Sequence, residues 1–178
     1  MKKSLVTLSL ALFAGLAGNV ALASTGSVSF VGSITPVTCN IEVIDPIGIG
    51  PGNRVSMGDF PLGQFTAVGT EVGGAPFSIR IPSKSCAGAL ANATIKFDGD
   101  ADGNYFRVNP VAGAAKNVAI ALKDNNNVPI RPGVVSPSYK LNNTGPTDLK
   151  FTAYYRSTAA GVTAGLASAQ VQFTVDYL

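Results

Sequence analysis

A β-sandwich is the fold class this sequence predicts, on three observations. Apolar and polar residues alternate over many short runs, Gly, Pro, Asn and Asp separate the runs, and no helical period lasts beyond two turns. Alternation sets one side of a run on a core and the other in water. Runs spaced by about ten residues with turn signals between them build two packed antiparallel sheets. A chain of 178 residues supports one domain, and 46% hydrophobic against 13% charged residues marks a chain that folds.

In chain order, the first element is a leader rather than part of the fold. Lys2 and Lys3 give a positive start, Leu5 to Ala17 is an almost unbroken apolar run, and Ala21-Leu22-Ala23 supplies a small-x-small cleavage pattern. Residues 1–23 are therefore expected to be a signal peptide, with the mature chain opening at Ser24. The alternative is a retained anchor, but the run is short for a span and Gly18-Asn19 interrupts it. No membrane span is expected in the mature chain. Removing the leader takes away two of the 13 basic residues and none of the 10 acidic ones, so the net charge falls from +3 to +1. No Lys/Arg cluster survives, which excludes nucleic acid as the partner class.

The runs that follow predict strands over Ser27–Ile34, Cys39–Ile44, Arg54–Phe60, Pro76–Pro82, Ala93–Phe97, Tyr105–Val108, Asn117–Lys123, Ser138–Leu141, Leu149–Arg156 and Ala169–Tyr177. Pro46 to Gly52 reads as a loop, and Asp124-Asn125-Asn126-Asn127 closes a hairpin onto a short Val128–Arg131 segment. Ala159 to Ala167 is rich in Ala and Gly, yet Gly161, Val162, Thr163 and Gly165 argue for a loop rather than a helix.

Composition narrows the chemistry. With no His, neither a Ser-His-Asp nor a Cys-His nucleophile is available, and a His-ligated zinc site cannot be built. No enzyme and no cofactor are expected. Two cysteines in an exported chain read as one disulfide, Cys39 to Cys86, because the compartment beyond the inner membrane is oxidising; two buried thiols are the alternative. Asp98-Gly99-Asp100-Ala101-Asp102-Gly103 matches the opening of a calcium loop, but Asn109 stands where a bidentate Glu is needed, so an acidic hairpin is the better reading. Asn92-Ala93-Thr94 and Asn142-Asn143-Thr144 fit a glycosylation pattern and read as turns.

The two ends of the mature chain carry the functional signal. Ala169, Val171, Phe173, Val175 and Tyr177 share one face of the last strand, and the chain stops at Leu178 with nothing left to pair beside it. Gly26, Val28, Phe30, Gly32 and Ile34 form a second alternating face near the start, before Pro36 interrupts it. One end is a sheet edge lacking a partner, and the other is a strand lacking a sheet.

At these residues the sequence resembles the pilins of the chaperone–usher family, the type 1-like fimbrial subunits of Gram-negative bacteria. The resemblance runs from Gly26-x-Val28-x-Phe30-x-Gly32, seven residues before Cys39, through Pro76-Phe77-Ser78-Ile79-Arg80-Ile81 leading into Cys86. It continues over Asn117-Val118-Ala119-Ile120-Ala121-Leu122-Lys123-Asp124 and Phe151-Thr152-Ala153-Tyr154-Tyr155 with a Thr158-Ala159 turn, and it closes on Phe173-Thr174-Val175-Asp176-Tyr177-Leu178. It implies an incomplete immunoglobulin-like sandwich that lacks its last strand and is completed by the N-terminal extension of the next subunit, a process called donor-strand exchange. It implies residues 24–36 as that extension and 37–178 as the pilin domain, with Gly26, Val28, Phe30, Gly32 and Ile34 at the pocket positions. Only Ser24 and Thr25 precede Gly26, a shorter lead than many relatives carry.

The resemblance also implies an acceptor groove along Ala169, Val171, Phe173, Val175, Tyr177 and Leu178, recognised first by a periplasmic chaperone. Its other implied partners are identical or related subunits and an outer-membrane usher. The implied function is a structural subunit of a surface fimbria, exported through the periplasm, that supports adhesion and biofilm formation. The alternative from another class is a minor tip subunit or a secreted sugar-binding β-sandwich with a shallow site at Tyr105 or Tyr139. Two-domain adhesins need about twice this length, and the chain has no Trp to form a sugar platform.

Overall fold

Antiparallel pairing accounts for every strand of the computed structural model, which describes residues 40–46 and 53–178. All described residues fall within the unit Thr35–Leu178. The strands are β1 (Glu42–Ile44), β2 (Glu71–Ile81), β3 (Asn92–Gly99), β4 (Ala101–Asp102), β5 (Tyr105–Arg107), β6 (Val118–Asp124), β7 (Pro129–Ile130), β8 (Tyr139–Lys140), β9 (Thr147–Ser157) and β10 (Val171–Tyr177). One sheet runs β1-β2-β9-β6-β5-β4, with β7 also on β6, and the second runs β10-β3-β8. Among the described residues, no helix is long and apolar enough to cross a membrane.

The core lies between the sheets and is built on aromatic contacts. Phe77, Phe97 and Phe151 are buried, with ring centroids 6.4 Å (Phe77 to Phe97), 5.6 Å (Phe77 to Phe151) and 5.2 Å (Phe97 to Phe151) apart. Tyr139 adds an edge-on contact to Phe151. Alternation placed these residues: in β9 Leu149, Phe151 and Ala153 point inward, while Lys150 is exposed. The hairpin expected at Asp124 forms around that buried carboxylate, which accepts the N–H groups of Asn126 (2.8 Å) and Val128 (2.9 Å) and leaves Asn127 at φ 60°. Asp98 to Gly103 makes the turn into the β4–β5 hairpin, with Asp98 paired to Lys96 at 3.0 Å.

Two expectations are corrected. Arg54–Phe60 is not a strand: it alternates, but among the described residues its backbone joins no sheet. The strand expected at Pro76–Pro82 begins earlier, at Glu71. Gly73 and Gly74 lie within the added stretch. In the sheet they form a β-bulge, two residues opposite Tyr154 alone, with φ of +88° and +139° that L side chains rarely adopt. The expected loop over 159–167 is a loop, and hydrogen bonds such as Ala115 N–H to Leu166 O (3.0 Å) and Leu166 N–H to Gly113 O (3.1 Å) stitch it to residues 113–116.

On the outer face of the larger sheet, Glu71 of β2 binds Lys123 of β6 and Arg156 of β9 together. Burial opposes ionisation of this carboxyl, but the hydrogen bonds and charges of the two cations outweigh it and hold the pKa below the ordinary 4.5. A carboxyl lowered in the folded state adds stability above its unfolded pKa and loses it as pH falls through the folded value. Glu71→Gln is expected to cost about 1 kcal/mol at pH 7 in denaturant unfolding. The difference should shrink as pH falls through the lowered folded value and vanish below it, and a gap that persists there would assign the loss to packing instead.

Candidate functional site

The second sheet ends on β10, and this edge is the candidate site. Among the described residues β10 pairs with β3 alone, from Val171↔Gly99 to Tyr177↔Ala93. The pairing pattern says which backbone groups are left over. Leu178 and Asn92 exchange both bonds, Leu178 N–H to Asn92 O at 2.9 Å and Asn92 N–H to Leu178 O at 3.1 Å. In an antiparallel ladder such doubly bonded pairs recur every second residue, so Asp176, Thr174 and Gln172 direct their N–H and C=O groups to β3. Val171, Phe173, Val175 and Tyr177 direct theirs to the open edge. The same four residues turn their side chains inward, where each rests on the core yet is only half-buried. Phe173 lies 6.2 Å from Phe97, so the aromatic core reaches solvent through it.

Residues 54–59 have the same character. Val55 and Met57 rest on the same core as β10, between exposed Arg54, Ser56, Gly58 and Asp59. Among the described residues, this stretch makes no backbone–backbone hydrogen bond; Ser56 N–H instead donates to the Asp45 carboxylate at 2.8 Å. Buried backbone is nearly always paired, so a stretch with unused N–H and C=O groups over a half-buried core is a place where a strand can be added, and both β10 and residues 54–59 rest on one such core. We refer to residues 54–59 and β10 as the two banks of the slot such a strand would fill.

Each expected site residue can now be placed. Ala169 is half-buried just before β10, Val171 to Tyr177 form its inward face, and Leu178 is 54% exposed at its end. The Tyr177 hydroxyl is buried without a hydrogen-bond partner among the described residues, and that burial raises its pKa above 10. Cys86 is buried and disulfide-bonded within the 3₁₀ turn Lys84–Ala87, while its expected partner Cys39 lies outside the described residues. Gly26, Val28, Phe30, Gly32 and Ile34 also lie outside them. Sequence reasoning missed Val55 and Met57 as site residues. Their alternation was legible, but what they face was not. Of the aromatic residues of the sugar-site alternative, Tyr105 has Arg156 over its ring at 4.8 Å, and Tyr139 donates its hydroxyl to Asp124 at 3.2 Å.

Comparison with known proteins agrees with this architecture. The family model described as "Fimbrial protein" matches residues 28–178. The chain is 34% identical over 182 residues to the probable major fimbrial subunit LpfA of Escherichia coli O157:H7, covering 99% of this chain and 97% of that one. It is 31% identical over 189 residues to the type-1 fimbrial protein subunit of Serratia marcescens, covering 99% of each. Among solved structures, the Burkholderia pseudomallei antigen and type I fimbria protein superposes with a TM-score of 0.59 at 29% identity, covering 79% of this chain and all of that one. The P pilus rod subunit PapA shares the fold, with a TM-score of 0.57 at 19% identity over 71% of this chain and 93% of that one. Such subunits are immunoglobulin-like sandwiches with structural rather than enzymatic roles. From the antiparallel sandwich, its open edge and relatives that match nearly the whole sequence, it follows that this chain belongs to the fimbrial protein family and is a structural subunit of a cell-surface fimbria.

Proposed function

We propose that this subunit polymerises by strand donation, each copy laying residues 24–36 into the slot beside β10 of the next, after export directed by residues 1–23. The observation that carries this reading is the open edge of β10, where four half-buried side chains and their backbone groups await a partner. A donor presenting Val28, Phe30 and Ile34 to the exposed core would bury three large side chains at about 1.5–3 kcal/mol each, or roughly 5–9 kcal/mol before ladder hydrogen bonds. Gly32, with no side chain, suits the place where the two backbones approach most closely. The domain acting as acceptor is residues 37–178, closed at one end by a Cys39–Cys86 disulfide.

An edge that adds strands is a hazard until the correct strand arrives. A periplasmic chaperone that lends a strand to the same edge, and an outer-membrane usher that exchanges it for the next subunit, meet that need. The resulting fibre supports adhesion and biofilm formation. Deleting Tyr177 and Leu178 removes an inward aromatic together with the bonds from Ala91 and Asn92 N–H to the Leu178 oxygen (3.0 and 3.1 Å). The truncated subunit is expected to give no soluble chaperone complex and to be degraded. Co-purification with the chaperone at the level of the intact subunit would count against β10 as the recognised edge.

A further inference from the structure

Near the start of β10, one side chain touches a residue that precedes or follows each bank, Ala167 ahead of β10 and Phe60 after residues 54–59. Tyr155 sits on β9 between Val72 of β2 and Ile120 of β6. On one side its ring meets Phe60 edge-on, with centroids 6.1 Å apart and planes at 72°. On the other its hydroxyl donates to the Ala167 carbonyl at 2.9 Å. Phe60 closes the bank of residues 54–59, and Ala167 lies just before Ala169, where the inward face of the other bank starts. Burial raises the pKa of the Tyr155 hydroxyl, and the Asp59 carboxylate raises it further, so it remains a donor at physiological pH.

Phe60 is itself seated by the bulge in β2. A Cβ on Gly73 would stand 3.0 Å from the Phe60 ring and press on it, and the φ of +88° there favours glycine as well. This seat and the bond from Ser56 N–H to the Asp45 carboxylate anchor the bank, and among the described residues the N–H groups of Val55 and Met57 have no backbone partner. A strand entering between two others needs about 9.6 Å, twice the ~4.8 Å interstrand spacing, so the gap between the banks decides whether it enters.

We propose that Tyr155 is a positioning residue for strand capture: with Phe60 it spaces the two banks at the start of β10 so that an extended segment of a second copy can enter there. The inference rests on the strand-donation reading. It is tested with the full chain and a labelled synthetic peptide of residues 24–36, measuring the capture rate and, in parallel, the unfolding midpoint. Tyr155→Phe keeps the ring on Phe60 but loses the bond to Ala167, and is expected to slow capture about five-fold. Phe60→Leu is expected to slow it likewise. Tyr139→Phe loses a comparable hydroxyl bond elsewhere in the domain and is expected to capture at the unsubstituted rate. Unchanged capture by Tyr155→Phe, or equal slowing in Tyr139→Phe, would overturn the positioning role while leaving strand donation intact. Failure of the unsubstituted chain to capture the peptide would instead remove the strand-donation reading, and this inference with it.

Discussion

Phe30→Asp is expected to abolish fibre assembly while the chaperone-bound subunit accumulates at its normal level. The separation follows from where the residue acts. Under strand donation Phe30 would complete the core of a neighbour, the half-exposed surface that includes Phe173, and contribute nothing to the folding of its own domain. A carboxylate carried into that apolar slot would meet no cation among the described inward residues of the two banks, which are Val55, Met57, Val171, Phe173, Val175 and Tyr177. Burying it there costs several kcal/mol, on top of the about 1.5–3 kcal/mol lost with the phenyl ring, which together offset most of the roughly 5–9 kcal/mol expected from insertion. The measurement is the amount of chaperone–subunit complex beside the amount of fibre. Loss of fibre alone fits donation in trans. Loss of both together would mean that residues 27–34 belong to the core of their own domain, and strand donation would fail.

Loss of the disulfide is the second large effect. Cys86 is buried and bonded in the turn that links β2 to β3, at one end of the sandwich. If Cys39 is its partner, the bridge spans 47 residues, and in the chain-entropy model closing such a loop is worth about 4 kcal/mol. Domains hold only about 5–15 kcal/mol in all, and a subunit with an uncovered edge has little in reserve. Cys39→Ser and Cys86→Ser are each expected to lower the unfolding midpoint of the donor-complemented subunit by about 10 °C and to reduce periplasmic yield sharply. Equal losses in the two single variants, with no further loss in the double variant, would identify the pair. A stable Cys39→Ser beside an unstable Cys86→Ser would refute it.

Particular residues show how much of this was legible beforehand. Leu149, Phe151 and Ala153 alternate with polar neighbours, and the strand they predict is the one that forms, because a half-buried strand needs only a period of two. The Asp124 hairpin was legible for a similar reason: Asp and Asn side chains bond their own backbone, so the turn carries its instructions locally. The start of β2 at Glu71 was not legible, because a glycine pair such as Gly73-Gly74 codes a break and a bulge alike, and only a continuous partner such as β9 converts the one into the other. Phe60 and Tyr155 were legible as apolar positions but not as a pair, since they are far apart in sequence and meet through the bulge.

By itself the sequence determined the fold class, the order of most strands, the inward face of the last strand and the resemblance to a family of fibre-forming subunits. All of these rest on local periodicity, turn chemistry or motif spacing. Only the tertiary structure decided that Arg54–Phe60 alternates without pairing, that it shares a core with β10, and that β10 turns its unused N–H and C=O groups outward from the same residues that turn their side chains in. The physical reason is that alternation records which face of a strand is buried, whereas hydrogen bonding across a sheet depends on a partner supplied by a distant part of the chain, or by another chain altogether.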